Sequence, residues 1–208
     1  MFLSSHFINR PHRQVRRATW KPAAQGFTLI EIIVILAVIS ILVAILTPTV
    51  LKYIDDARTS RASEDVKTIN AMLNDLVKDT GQYPGNKLAG RTFICGDGTQ
   101  PSTGVVWCTA ANSRSLSNHF MINDPDEDGT ANEATDDYRP SGNFRWKGPY
   151  LQTLNPDPWG NAYAINASTF VGGNTSPTWV ASPGPDGVFQ TATTDTSLSG
   201  DDIGVRIK

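Results

Sequence analysis

The chain has 208 residues, 39% of them hydrophobic, with 17 glycines, 13 prolines and a net charge of −2, enough for one globular domain plus extensions. The charge is split unevenly. Residues 1–26 hold Arg10, Arg13, Arg16, Arg17 and Lys21 and no acid, whereas the other 13 basic and 20 acidic residues leave −7. A basic cluster ahead of an apolar run reads as a topology signal, which argues against a nucleic-acid role. Residues 1–26 are expected to be a cleaved leader.

The apolar run, Gly26 to Leu46, is expected to cross a bilayer, because about 20 helical residues at 1.5 Å rise span a hydrocarbon core of ~30 Å. One residue breaks its pattern. Glu31, five positions after Gly26, would cost roughly 2.5–3.5 kcal/mol at mid-membrane if left alone, so it is a functional candidate that needs a counter-charge. Pro48 is expected to kink or locally melt the helix. Gly26-Phe27-Thr28-Leu29-Ile30-Glu31 with the following apolar run and Pro48 resembles the type III signal of type IV pilins and of the pseudopilins of type II secretion. The resemblance implies that a prepilin peptidase cuts after Gly26 and that the new amino-terminal Phe27 is N-methylated. It also implies that Glu31 serves assembly, meeting the terminal ammonium of a neighbouring subunit inside an apolar bundle.

Past Pro48, Ala62, Val66, Ile69, Leu73, Leu76 and Val77 recur at three- and four-residue spacing, so an amphipathic stem continues to Thr80 and ends at Gly81 and Pro84. Arg58, Arg61, Glu64, Lys67, Asp75 and Lys78 lie opposite the stripe. Residues 85–142 show little regular pattern and read as an insertion. Thr92–Cys95 and Val105–Cys108 are expected strands, and Ser115–Ile122 a short helix. The two cysteines, Cys95 and Cys108, are expected to form a disulfide, since a domain beyond a positive-inside span faces an oxidising compartment.

From Trp146 on, Lys147-Gly148-Pro149-Tyr150-Leu151, Asn155-Pro156-Asp157-Pro158-Trp159-Gly160-Asn161-Ala162-Tyr163, Ser182-Pro183-Gly184-Pro185-Asp186-Gly187 and Asp201-Asp202-Ile203-Gly204 are similar to the major pseudopilin of type II secretion. The resemblance covers 26–84 and 146–204 and implies an α+β, type IV pilin-like fold, a long N-terminal transmembrane helix packed on a small antiparallel sheet. Strands are expected at Ala162–Ile165, Trp179–Ser182 and Ile203–Ile207. The division is a leader (1–26), a transmembrane helix (27–50), a stem (51–84), a disulfide-containing insertion (85–142) and a C-terminal sheet with a calcium loop (143–208). In that loop the resemblance makes Asp186, Asp201 and Asp202 side-chain ligands of a structural Ca²⁺, with Ser182 a weaker backbone candidate.

A second calcium candidate comes from the residues themselves. Asp124, Asp126 and Asp128 with Gly129 occupy positions one, three, five and six of an EF-hand-type loop. The glutamate expected at position twelve is replaced by Thr135, followed by Asp136, and Glu133 is off register. An acidic exposed turn is the competing reading. Enzymatic motifs are absent: there is no Gly-x-Ser-x-Gly, phosphate loop or zinc spacing, and His119, the single histidine outside the leader, is expected to be a surface or half-buried structural histidine. Trp107, Trp146, Trp159 and Trp179 read as core or interface anchors.

The function expected from the resemblance is a structural subunit of a helical pseudopilus in type II protein secretion. Its partners would be further copies of itself, minor pseudopilins, the prepilin peptidase and an inner-membrane assembly platform. It would sit in the inner membrane with its C-terminal domain in the periplasm. A type IV pilin, or a membrane-anchored binding module, is the alternative.

Overall fold

The computed structural model describes residues 26–101, 104, 105, 107–133 and 135–208; the leader expected over 1–25 lies outside these residues. Two units are distinguished, divided between Thr47 and Pro48.

In the N-terminal unit, Gly26, Phe27 and Thr28 are non-helical and helix α1 (Leu29–Thr80) begins at Leu29. Every residue from Phe27 to Thr47 is exposed, and the helix is long and apolar enough to cross a membrane. The expected melting at Pro48 does not occur, since α1 runs through it unbroken. One missing donor is tolerable within a cooperative run of strong helix formers, and hydroxyls add bonds nearby: Thr47 Oγ1 donates to the Val43 carbonyl at 2.7 Å.

The second unit is built on the rest of α1. Ala62, Val66, Ile69, Leu73 and Leu76 are buried as the periodicity predicts, joined by Met72, while Arg58, Arg61, Glu64, Lys67, Asp75 and Lys78 are exposed. Gly81 takes φ +65° just past the last turn and its amide reaches the Val77 carbonyl at 2.8 Å, a left-handed stop that glycine adopts without strain.

The sheet has five strands in the order β2-β1-β3-β4-β5, namely β1 (Phe93–Cys95), β2 (Ser113–Ser115), β3 (Ala164–Ile165), β4 (Trp179–Ser182) and β5 (Ile203–Arg206). Three neighbouring pairs are antiparallel, with Ile94 opposite Ile165, Ala164 opposite Ala181 and Val180 opposite Val205. The sheet is mixed, not purely antiparallel, because β2 pairs with β1 in parallel. Alternate residues of β1, β3 and β4 enter two cores. Ile94, Ile165 and Val180 pack with the helix stripe, Leu116, Phe120 and Tyr163. Phe93, Cys95, Ala164, Trp179 and Ala181 pack with Trp107, Cys108 and Phe189 on the other face. With both faces covered, β3 and β4 read in sequence as continuous apolar runs.

One local expectation is corrected. Val105–Cys108 is not a strand: the Val105 amide donates to the Phe189 carbonyl at 2.9 Å, and Trp107 is stacked on Phe93 and Phe189 with ring centroids 5.7 and 4.9 Å away. Side-chain packing fixes this segment where a ladder was expected; Val106 lies outside the described residues. The short helix expected over Ser115–Ile122 is present one residue late: Ser115 ends β2, Leu116 and Ser117 are α-helical, and a π-helix continues over Asn118–Ile122. The disulfide joins Cys95 to Cys108.

Candidate functional site

The first site is the start of α1. Thr28 precedes the first helical residue and Glu31 is the third, the spacing of a capping box. Glu31 Oε2 accepts from the Thr28 amide and from Thr28 Oγ1, both at 2.7 Å, and the Glu31 amide donates back to Thr28 Oγ1 at 3.3 Å. Thr28 and Glu31 therefore each satisfy one amide of the other at a helix start that leaves such donors unpaired. Both side-chain bonds fall on Oε2, so Oε1 is left to a further partner. The Thr-x-x-Glu signal was present in the sequence and read there for its charge alone.

The second site is the loop that follows β4. Asp157, 4% exposed, anchors it. Its Oδ1 accepts from the amides of Trp159 at 3.0 Å and Asn161 at 2.7 Å, and its Oδ2 from Ser182 Oγ at 2.6 Å. Asn161 Nδ2 donates to the Gly184 carbonyl at 3.2 Å. The Asp-Pro-Trp-Gly-Asn stretch is thus a buttress for the expected calcium loop, a role the sequence reading did not give it. A side chain at Gly184 (φ +69°) would run into the Asp201 carbonyl, so glycine is required there.

Of the expected ligands, Asp186 is exposed, and its Oδ1 and Oδ2 accept from the Val188 amide at 2.8 Å and Gln190 Nε2 at 2.6 Å. Asp201 Oδ2 accepts from the Asp186 amide at 3.1 Å, which ties the two loop arms. Asp202 is buried, and its Oδ2 accepts from the amides of Gln190 at 3.0 Å and Thr191 at 2.7 Å. Asp202 Oδ1 and Gln190 Oε1 are buried without a partner among the described residues, and burial first of all raises the Asp202 pKa. An acceptor left so costs about 1–3 kcal/mol; two unpaired oxygens suit a hard cation. The three aspartates do not form one tight carboxylate cluster among the described residues.

The third site, residues 124–137, does. Its neck is closed by buried Asn123, whose Nδ2 donates to the Tyr138 carbonyl at 2.9 Å and whose Oδ1 accepts from the Tyr138 amide at 3.1 Å. Oxygens of Asp124, Asp126 and Asp128 lie within 4.8 Å of one another, as do those of Asp126, Asp136 and Asp137, and of Asp128, Glu133 and Asp136. The shared members link six acids into one cluster, to which the sequence reading had assigned three. Glu127 turns away to Arg114, at 3.2 Å, and to the Ser115 amide. Gly129 sits at φ +93°, and its amide donates to Asp124 Oδ2 at 3.2 Å. Burial is the largest cause of the raised pKa values of Asp126 and Asp137, with neighbouring acids adding to it.

Two family profiles match the chain. The prokaryotic N-terminal methylation motif matches residues 21–47, and type II secretion system protein G matches residues 125–200. Over these two stretches the chain is similar to the amino-terminal methylation signal and to type II secretion protein G. Among curated relatives, the type II secretion system core protein G of Pseudomonas aeruginosa is 41% identical over 59 residues, covering 28% of this chain and 42% of the relative. The type IV wide pilus major component PilA4 of Thermus thermophilus is 41% identical over 73 residues, covering 32% and 50%. The chain thus spans half or less of the relatives it matches. No solved structure matches it significantly. The protein G profile begins at residue 125, inside the 85–142 stretch read as inserted.

In the same chain His119 is wholly buried, where a surface or half-buried histidine was the expectation, and Nδ1 shares a 2.8 Å hydrogen bond with Tyr138 Oη. Burial, then the Arg114 charge, lowers its pKa from 6.5 to about 3. The unfolded ring takes up a proton below 6.5 that the folded ring refuses, so this group's stabilisation is full above pH 6.5 and is lost as pH falls toward 3. The expected loss is about 1.4 kcal/mol per pH unit in that window. The raised carboxyls, including Asp126, Asp137 and Asp202, act in the opposite direction as they protonate. The measurement is therefore a comparison: the fall in melting temperature between pH 7 and pH 5 should be shallower in His119→Gln than in the parent, and equal slopes would refute it.

Proposed function

We propose that the protein is a structural subunit of a pseudopilus in type II protein secretion, anchored in the inner membrane with its C-terminal domain in the periplasm. The observation that carries this is the register of the amino-terminal signal: Gly26 and Phe27 are non-helical, α1 begins at Leu29, and an exposed apolar helix holds a single capped acid, Glu31. A peptidase needs an extended peptide, and the bond after Gly26 lies just outside the helix. Cleavage would give Phe27 a free amino group for N-methylation. In a bundle of such helices the ammonium of one subunit would meet Glu31 of the next, since paired charges cost far less in an apolar medium than lone ones. The apolar face from Phe27 to Leu46 would serve first as membrane anchor and then as filament core. The working partners are other copies of this chain, minor pseudopilins, the prepilin peptidase and the assembly platform, and the role is structural rather than enzymatic.

We further assign a structural Ca²⁺ to the loop of Asp186, Asp201 and Asp202, supported by the unpaired oxygens of Asp202 and Gln190. The ion would tie together a polar segment that cannot pack by itself. The pilin reading has one observation in its favour, the identity to the wide-pilus component. Deleting the gene separates the two readings, through loss of secretion on the first and loss of twitching or DNA uptake on the second. The direct test is electron microscopy of sheared filaments with mass spectrometry of the subunit. The expected subunit begins at N-methyl-Phe27; a subunit that retains residues 1–26, or forms no filament, overturns the proposal.

A further inference from the structure

We propose that residues 124–137 form a second divalent-cation site, taking Ca²⁺ through Asp124, Asp126 and Asp128, with Asp136 and Asp137 closing from the opposite arm of the loop. This does not depend on the filament reading. Acidic clusters are common on protein surfaces, and what sets this one apart is unpartnered burial. Asp124 and Asp137 are 7% and 1% exposed, and Oδ1 of each has no hydrogen-bond partner among the described residues. Asp126 Oδ1 is likewise buried and unpartnered. These residues belong to triples whose oxygens lie within 4.8 Å of one another, the span of two opposed Ca–O bonds of about 2.4 Å.

Among the described residues, no salt bridge joins a cationic side chain to these carboxylates. Lys87 Nζ lies 2.7 Å from the Asp137 carbonyl oxygen, not from a carboxylate, and Arg114 is engaged with Glu127. The acids would be expected to spread apart in water, yet the neck at Asn123 and Tyr138 keeps their two arms together. An all-oxygen, carboxylate-rich set selects a hard cation over zinc or copper. Asp136 and Asp137, just past the twelfth loop position, supply the acid that Thr135 cannot. A bound ion would fix the loop to Tyr138, which is buried against His119.

The test is calcium stoichiometry on the full chain purified in detergent, by equilibrium dialysis against calcium chloride alone, for the parent and for Asp126→Asn, Asp128→Asn and Asp202→Asn. Affinity is expected near about 10⁻⁴–10⁻³ M, the range of extracellular modules. Asp126→Asn and Asp128→Asn should each lose one ion relative to the parent, and Asp202→Asn should keep the ion bound at 124–137. Asp128 is exposed, so its variant keeps the test valid if Asp126→Asn does not fold. Calcium should also protect 124–137 from proteolysis in the parent and in Asp202→Asn, and not in the other two. Unchanged stoichiometry in both loop variants overturns this site, whereas loss confined to Asp202→Asn leaves the C-terminal ion standing and removes this one.

Discussion

Replacing Glu31 by glutamine is expected to abolish filament assembly while leaving membrane insertion and the first helical turn intact. A capping box accepts glutamine at its third helical position, so Glu31→Gln keeps the bonds to Thr28 and removes only the charge. A neighbour's ammonium would then enter the apolar bundle unpaired. Breaking a buried pair by removing one partner costs about 3–5 kcal/mol, roughly a 10²–10⁴-fold loss of affinity per contact. Because each added subunit meets that penalty, filaments should disappear from sheared fractions while the protein in the membrane fraction is still cleaved after Gly26. Glu31→Ala also loses the cap and so confounds two effects. Normal filaments from the glutamine variant would reduce Glu31 to a helix-capping residue.

The largest stability effect is expected from the disulfide. Cys95 closes β1 and Cys108 follows Trp107, and both cysteines are buried among Phe93, Trp107, Trp179 and Phe189. The closed loop has a sequence separation of 13, for which chain entropy gives about 3 kcal/mol. A double Cys95→Ala, Cys108→Ala variant leaves no buried hydroxyl and isolates the cross-link. Its melting temperature should fall by roughly 6–12 °C. Reducing agent should lower the parent's melting temperature by a similar amount and leave the variant unmoved; a parent insensitive to reduction would refute the assignment.

Much of the fold was legible because single-residue chemistry decided it. The stripe from Ala62 to Leu76, the stop at Gly81 and the strand at Trp179–Ser182 follow from periodicity, a left-handed φ and a two-sided apolar run. Other parts were hidden because partners distant in sequence create them. Ser113-Arg114-Ser115 carries no strand signal and is a strand because β1 offers it a free edge, and Trp107 is held by Phe93 and Phe189 from either side. The same holds at the sites. Asp124, Asp126 and Asp128 announced themselves by spacing, whereas Asp136 and Asp137 joined them only once Asn123 had brought Tyr138 back to the neck. Asp157 looked like part of a turn, and its burial beneath Ser182 shows in the fold alone.

That neck also has a practical consequence. Because two hydrogen bonds from one amide side chain join the ends of 124–137, the segment is a side excursion from the main path of the chain. Its exposed tip, residues 130–132, can change length while Glu127 keeps its hold on Arg114 and Ser115 of β2. It is therefore the natural place to splice a foreign epitope, and a helical array of such subunits would display that epitope once per protomer.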